Sequence, residues 1–277
     1  MPIDKINGVK IFWESTGSKG EPLVLVHGSW GDHHNWDKVA GELAKTFRVF
    51  TYDRRGHSQS ERPSGQGRVE EDIDDLIELI NHLNLSPAHI VGNSFGAGIV
   101  LKTAGKGPDL FRSMIIHEPP LLGILKDNPN AQEALKTSNE RIKAVLDLFA
   151  QGNLEKATKE FMEKIGMGPG AWEKLPEAQQ KAFIYNAPTW YDEMQDPQSL
   201  QINITTLLDF KKPALLSSGS ESPPFFPLVI DKLMSAIPHA KRITIEGAGH
   251  VPHMSHPGKY VELVNHFCLG ISNAVNK

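Results

Sequence analysis

The pentapeptide Gly92-Asn93-Ser94-Phe95-Gly96 combines residue types and spacing suited to nucleophilic chemistry. It lies between a short apolar run, His89-Ile90-Val91, and a small-residue run, Ala97-Gly98-Ile99-Val100-Leu101. A strand that ends there must turn sharply into a helix, and glycines two positions either side of Ser94 leave room for that turn. The turn lifts the hydroxyl clear of the sheet. It also sets Ser94 at a helix N-terminus, where free N–H groups and the helix dipole favour developing negative charge. A plain strand-to-helix turn carries the same letters, so the chemistry depends on partners elsewhere. A second spacing, His250, His253 and His256, could suggest a metal. Pro252 and Pro257 oppose a regular helix through it and no carboxylate lies close in sequence, so no metal or other cofactor is expected.

The elements that must position these residues follow a strand–helix alternation. Val9 to Trp13 reads as an edge strand, and Pro22 to Val26 as a strand buried on both faces that ends in His27-Gly28. A short helix is predicted from Asn35 to Ala44, a strand from Phe47 to Tyr52, and an amphipathic surface helix from Val69 to Leu83. The serine strand, its helix and a strand Ser113 to His117 complete a parallel sheet covered on both faces. From Pro119 to Lys212 the pattern turns helical, with stretches at Ala131 to Phe149, Leu154 to Ile165, Pro176 to Ile184 and, more weakly, Ser199 to Leu208. The sheet resumes at Ala214 to Gly219 and Arg242 to Ile245, with helices near Pro227 to Ile237 and Pro257 to Leu269. The division expected is a core of residues 1–118 and 213–277 with an inserted helical cap of residues 119–212.

The 277 residues, 39% hydrophobic and 22% charged, suffice for a well-buried core. The single cysteine, Cys268, sits in the apolar stretch Phe267-Cys268-Leu269 and reads as a packing residue. A net charge of −4 without a long basic run leaves no electrostatic footprint for nucleic acid. No stretch approaches the length of a membrane span and the N-terminus has no continuous apolar run, so a cytoplasmic protein with a small-molecule partner is expected, and neither nucleic acid nor membrane.

His27-Gly28 after an early strand, the serine elbow, the helical insertion and Gly249-His250 after the last strand together resemble the α/β-hydrolase fold. That resemblance implies that His250 is the base for Ser94, which separates it from the other histidines among the twelve present. It implies an oxyanion hole from the backbone N–H groups of Phe95 and Ser29, with Trp30 as the fallback. Many members carry the third residue of the triad, an Asp, at a position that is Ser222 here, and a serine cannot hold an imidazolium by charge. Glu221 and Glu118 are the available carboxylates, since neighbouring strand tips lie about 4.8 Å apart. Without a catalytic role, Glu118 would pair with a neighbour such as Arg112.

The sequence resembles the zearalenone lactonases at His117-Glu118-Pro119-Pro120-Leu121 and from Gly249 to Pro257, and these place the acid about two dozen residues after the nucleophile, as Glu118 follows Ser94. The resemblance therefore favours Glu118, with Glu221 the alternative. It implies a serine esterase or lactonase for a small, largely apolar substrate, a macrocyclic resorcylic lactone among the candidates. Leu122, Trp30, Trp190 and Tyr191 are the predicted substrate contacts. The rivals are hydrolysis of a carbon–carbon bond in a β-diketone-like compound and a non-catalytic ligand receptor on the same fold. Asp53, Arg54, Arg55 and His57 read as a structural turn.

Overall fold

The computed structural model describes residues 2–275. Among the described residues eight strands form one sheet in the order β1-β2-β4-β3-β5-β6-β7-β8. β1 (Ile3–Ile6) and β2 (Val9–Thr16) form an antiparallel edge, and β2 also runs antiparallel to β4 (Arg48–Tyr52). The remaining neighbours pair in parallel: β3 (Pro22–Val26), β4, β5 (Ala88–Asn93), β6 (Phe111–His117), β7 (Ala214–Gly219) and β8 (Lys241–Ile245). β1 has no counterpart in the sequence reading, because Asp4 and Lys5 hide the alternation of this short edge strand.

Helices α1 (Asp37–Leu43), α2 (Val69–His82) and α3 (Phe95–Lys106) alternate with the strands. Next come α4 (Gln132–Ala150), α5 (Leu154–Phe161) and α6 (Glu177–Gln195), all between β6 and β7, then α7 (Phe225–Met234), the single turn α8 (Pro252–Ser255) and α9 (Pro257–Val275). Alternate residues of a strand point to opposite faces, and each face of the sheet has its own core. Val24 and Val26 pack with α2, α3 and α7, whereas Leu23 and Leu25 pack with α1 and α9. Burial on both faces explains why the central strands read as continuous apolar runs.

The helices between β6 and β7 build a third core from Val145, Met162, Trp172, Phe183 and Trp190, into which Trp30 inserts from the loop after β3. α6 continues through Pro188, well beyond the Ile184 boundary expected from sequence. Contacts outside the helix hold both sides of the proline: Arg62 Nη2 donates to the Tyr185 carbonyl at 3.1 Å, and the Asn186 and Thr189 side chains bond to core loops. The weaker helix expected at Ser199 to Leu208 is only a 3-10 turn, Ile204–Leu207. The prolines near His253 start helices rather than prevent them, since a first-turn proline sacrifices no hydrogen bond. Among the described residues no helix is long and apolar enough to cross a membrane.

Candidate active site

Ser94 stands between β5 and α3 with φ 56° and ψ −125°, a conformation that non-glycine residues adopt only when their surroundings impose it. Its N–H donates to the His117 carbonyl at 2.9 Å, and its own carbonyl accepts from the Ala97 N–H at 2.9 Å. The flanking glycines allow close packing. A Cβ on Gly92 would lie 2.6 Å from Ala97 Cα, and one on Gly96 would lie 2.4 Å from the carbonyl oxygens of Val26 and His27. Trp30 (φ 70°) and Glu118 (φ 47°) are also left-handed, so the tips of β3, β5 and β6 each carry such a residue at the same end of the sheet.

Glu118 is fully buried at the tip of β6. Its Oε1 accepts the Gly219 N–H at 2.7 Å, and its Oε2 lies 2.7 Å from His250 Nδ1. Burial alone would raise its pKa, but the hydrogen bond and charge of His250 outweigh that and hold the carboxyl below its ordinary range. His250 is fixed on two further sides. Its carbonyl accepts from Asn93 Nδ2 at 2.9 Å, and its ring stacks on Phe226 with centroids 4.8 Å apart. With Nδ1 engaged by the carboxylate, the other ring nitrogen is left for a substrate-side proton.

Glu118 therefore occupies the position beside the histidine that sequence left open between two carboxylates. Glu221 is solvent-exposed on the loop after β7. Arg112 pairs with Glu21 at 3.2 Å, so Glu118 does not form the structural ion pair considered for it. The neighbouring His117 ring is buried, held by Ser217 Oγ at 3.0 Å, and burial lowers its pKa to about 4, leaving it neutral beside Glu118.

The three histidines spaced by three diverge. His253 is buried against Trp36, with ring centroids 4.4 Å apart and a pKa lowered by burial to about 3, while His256 Nδ1 lies 3.0 Å from Ser255 Oγ. Asp32, His33 and Asp53 do lie close enough to share an ion. Their oxygens already accept protein donors: Asp53 Oδ1 takes the His33 N–H at 2.9 Å, and Asp32 Oδ2 takes Ser58 Oγ–H at 2.7 Å. This is a satisfied turn, as expected for the segment around Asp53.

A second serine–histidine–acid chain occurs at the other end of the sheet. Ser113 Oγ lies 2.7 Å from His89 Nδ1, and His89 Nε2 lies 2.9 Å from Glu21 Oε2. Ser113 is fully buried and lines none of the cavities described, whereas Ser94 opens into one. Substrate access distinguishes the two.

That cavity, of about 100 Å³, is lined by Ser29, Ser94, Phe95 and His250 together with apolar side chains including Leu122, Met162, Trp190 and Phe226. Among the described residues no Asp, Glu, Lys or Arg lines it. Two predicted contacts lie elsewhere. Trp30 is fully buried in the core of the inserted helices, 5.1 Å from the Trp190 ring, and Tyr191 packs on Phe149 at 5.3 Å outside the cavity. The loop after β3 passes close over the serine, since a Cβ on Gly28 would lie 3.0 Å from Ser94 Cβ. His27 orders this loop: its Nε2 accepts the Arg54 N–H at 3.0 Å, so Nδ1 carries the proton and donates to the Gly28 carbonyl at 2.7 Å.

Sequence reasoning missed Glu193. Its Oε2 accepts from Ser29 Oγ at 3.1 Å, and its Oε1 accepts from Arg54 Nη2 at 2.7 Å. Arg54 Nη1 bonds Asp72 Oδ1 at 3.0 Å, and its guanidinium lies 5.0 Å from the centre of the Phe95 ring. The available signal was a pair of acids set among aromatic and apolar residues, Trp190-Tyr191-Asp192-Glu193-Met194.

The chain belongs to the alpha/beta hydrolase fold family, which it matches over residues 21–257, and is a hydrolase of that fold. It is 34% identical to the uncharacterized hydrolase YraK of Bacillus subtilis over 171 residues, covering 59% of this chain and 62% of that protein. It is 26% identical over 253 residues to the (E)-2-((N-methylformamido)methylene)succinate hydrolase of Acinetobacter baylyi, covering 87% and 88% of the two chains. Among solved structures, the enol-lactonase from Burkholderia xenovorans LB400 superposes with a TM-score of 0.79 at 18% identity, covering 96% of this chain and 99% of that one. A thermophilic esterase from Thermogutta terrifontis superposes with a TM-score of 0.78 at 23% identity, covering 98% and 99%. Identities this low show a shared fold and no more.

Proposed function

We propose that the protein is a serine hydrolase that cleaves a carboxylic ester or lactone of a small, uncharged, largely apolar substrate through an acyl-enzyme. The observation that supports this reading is the buried Glu118–His250 pair at 2.7 Å, set beside an elbow serine that shares an apolar cavity with that histidine. Ser94 Oγ attacks the carbonyl carbon while His250 takes its proton. The backbone N–H groups of Ser29 and Phe95 receive the negative charge that develops on the carbonyl oxygen. His250 then protonates the leaving alkoxide. Water, deprotonated by the same histidine, attacks the acyl-enzyme and releases the acid with Ser94 restored. Glu118 stays ionised and holds the imidazole in the tautomer the cycle needs. These steps call on no cofactor, and the partner is the substrate itself.

The cavity supports the choice of substrate. A dianion such as the succinate named for the Acinetobacter relative would meet no cation on these walls. About 100 Å³ is also below the roughly 300–1,000 Å³ of sites for drug-sized ligands, so the cavity suits a short acyl group. A macrocyclic resorcylic lactone would enter only if residues 119–212 act as a lid that opens. A neighbouring cleft of about 500 Å³ shares the walls Asn35, Met167, Phe183, Val251 and Met254 and offers the side on which to open.

The test is a chain-length series of aryl esters and simple lactones, together with labelling by a serine-reactive phosphonate. Hydrolysis of short uncharged esters and a label on Ser94, both lost in Ser94→Ala, are the expected results. A folded wild type that neither turns over nor is labelled would sink the reading.

A further inference from the structure

We infer that Glu193, on helix α6 of the insertion, is a positioning residue for the oxyanion donors, so that docking of the insertion on the sheet completes the hole. The inference rests on the ester-hydrolase reading above and adds to it a residue outside the substrate cavity.

A helix that only roofs a cavity needs an apolar underside. α6 instead turns Asn186, Thr189 and Glu193 inward, spaced i, i+3, i+7 on one face, with relative exposures of 0%, 3% and 2%. A buried polar group left unpaired is strongly destabilising, so such a face persists only where it is bonded. Each of these is bonded to a loop at the catalytic end of the sheet. Asn186 Nδ2 donates to the carbonyls of Trp30 at 3.0 Å and Gly31 at 3.1 Å, and its Oδ1 accepts the Ser58 N–H at 2.7 Å. Thr189 Oγ1 donates to the Gly56 carbonyl at 2.5 Å. Glu193 takes Ser29 Oγ–H on one oxygen and Arg54 on the other.

The geometry carries this through to the donor N–H. Within a trans peptide the C=O and the following N–H are coplanar and point in opposite directions. The Gly28 carbonyl and the Ser29 N–H belong to one peptide, so whatever holds that carbonyl aims that N–H. The carbonyl is held by His27 Nδ1–H at 2.7 Å and faces Arg54 Nη2 at 3.5 Å. Glu193 thus restrains the donor peptide twice, through the Ser29 hydroxyl and through the guanidinium it shares with Gly28. One peptide further along, Asn186 holds the carbonyls of left-handed Trp30 and of Gly31. Arg54 also faces the Phe95 ring, so the same cation sits beside the carbonyl of one donor peptide and beside the residue that supplies the other donor.

The experiment compares wild type, Glu193→Ala, Glu193→Gln and Ser29→Ala as full-length chains. Short aryl esters give kcat and KM, and an arylboronic acid, which forms a tetrahedral anion on Ser94, gives Ki. Misplacing a catalytic donor by about 1 Å costs on the order of 100-fold. Glu193→Ala is expected to lose 10- to 100-fold in kcat and the same factor in boronate affinity, with KM changed less than about threefold. Glu193→Gln keeps an acceptor for Arg54 and turns an amide N–H toward Ser29 Oγ, which can accept it, so this variant should recover most of the loss.

Ser29→Ala leaves the buried ion pair intact, so it serves even where Glu193→Ala does not fold, and a parallel several-fold loss in kcat and boronate affinity is expected. Unchanged boronate affinity in a folded Ser29→Ala or Glu193→Ala, or a rise in KM with constant kcat, overturns the inference. A wild type left unlabelled by phosphonate overturns the hydrolase reading, and this inference with it. An active, labelled wild type whose variants behave like it overturns this inference alone.

Discussion

Glu118 and His250 are separated by 132 positions in sequence and by 2.7 Å in space. Two features produce the contact. The left-handed backbone of Glu118 turns its carboxylate off the end of β6, and β7 and β8 lie next in the sheet, so the loop carrying His250 arrives from the neighbouring side. The Gly219 N–H at the tip of β7 is donated to Glu118, tying the two strand ends together.

This arrangement orders the effects of substitution. Ser94→Ala and His250→Ala should each lower kcat by on the order of a millionfold, because the residues of a triad act as a unit. Glu118→Gln should cost about 10³- to 10⁴-fold by losing the charge and the tautomer control. Glu221→Gln should behave as wild type. Steady-state kinetics on one aryl ester, with folding checked by circular dichroism, decides among these outcomes, and a collapse in Glu221→Gln would reassign the acid.

Glu118 also predicts the direction of an acid effect on stability. Its folded pKa lies below the ordinary 4.5, so the unfolded chain takes up its proton first as pH falls. Its stabilising contribution is present above pH 4.5 and disappears as pH drops through the lower folded value. The difference in urea unfolding free energy between wild type and Glu118→Gln should therefore shrink steadily below pH 4.5. A difference that grows there would contradict the assignment of Glu118 as an ionised, hydrogen-bonded carboxylate.

Glu193 predicts the opposite slope. Burial raises its carboxyl from 4.5 to about 7, against the pull of Arg54, so the folded state holds that proton more tightly than the unfolded one. The resulting contribution is complete below pH 4.5 and fades as pH rises to about 7. Relative to wild type, Glu193→Gln should gain stability across that interval. Denaturant titrations at pH 4.5, 6 and 8 check it, and a relative loss on going up in pH would show that Arg54 keeps the carboxylate ionised throughout.

The elbow glycines give a test of packing. An added methyl at Gly96 meets two carbonyl oxygens at 2.4 Å and one at Gly92 meets the Ala97 backbone at 2.6 Å, contacts that no flexible side chain can relieve. Gly96→Ala and Gly92→Ala should each destabilise the fold by about 1–3 kcal/mol or more, as overpacking of rigid cores does. Gly98→Ala, whose Cβ would lie 3.7 Å from Leu121 Cδ2, should be close to neutral. Thermal melts of the three variants side by side measure the contrast.

Local pattern carried much of this protein. The apolar runs of β3, β5 and β7, the amphipathic α2 and the Gly-x-Ser-x-Gly turn are properties of segments a few residues long, and a chain confined to strands and helices expresses them wherever it folds. Ser94 was legible for that reason, and a family resemblance brought His250 with it. Glu118 was legible only as one of two carboxylates, because the choice depends on which loop faces the histidine. The path of α6 beyond Pro188, the removal of Trp30 and Tyr191 from the cavity and the polar inner face ending in Glu193 had no local signature. Each is set by hydrogen bonds and ring contacts across long separations, such as the 164 positions between Ser29 and Glu193, and spacing along one segment does not encode a partner on another. The sequence alone therefore determined the central parallel strands, the elbow and the class of fold. The tertiary structure decided the partner of the histidine and what holds the loop above the serine, because burial makes polar groups find donors and acceptors wherever the fold brings them.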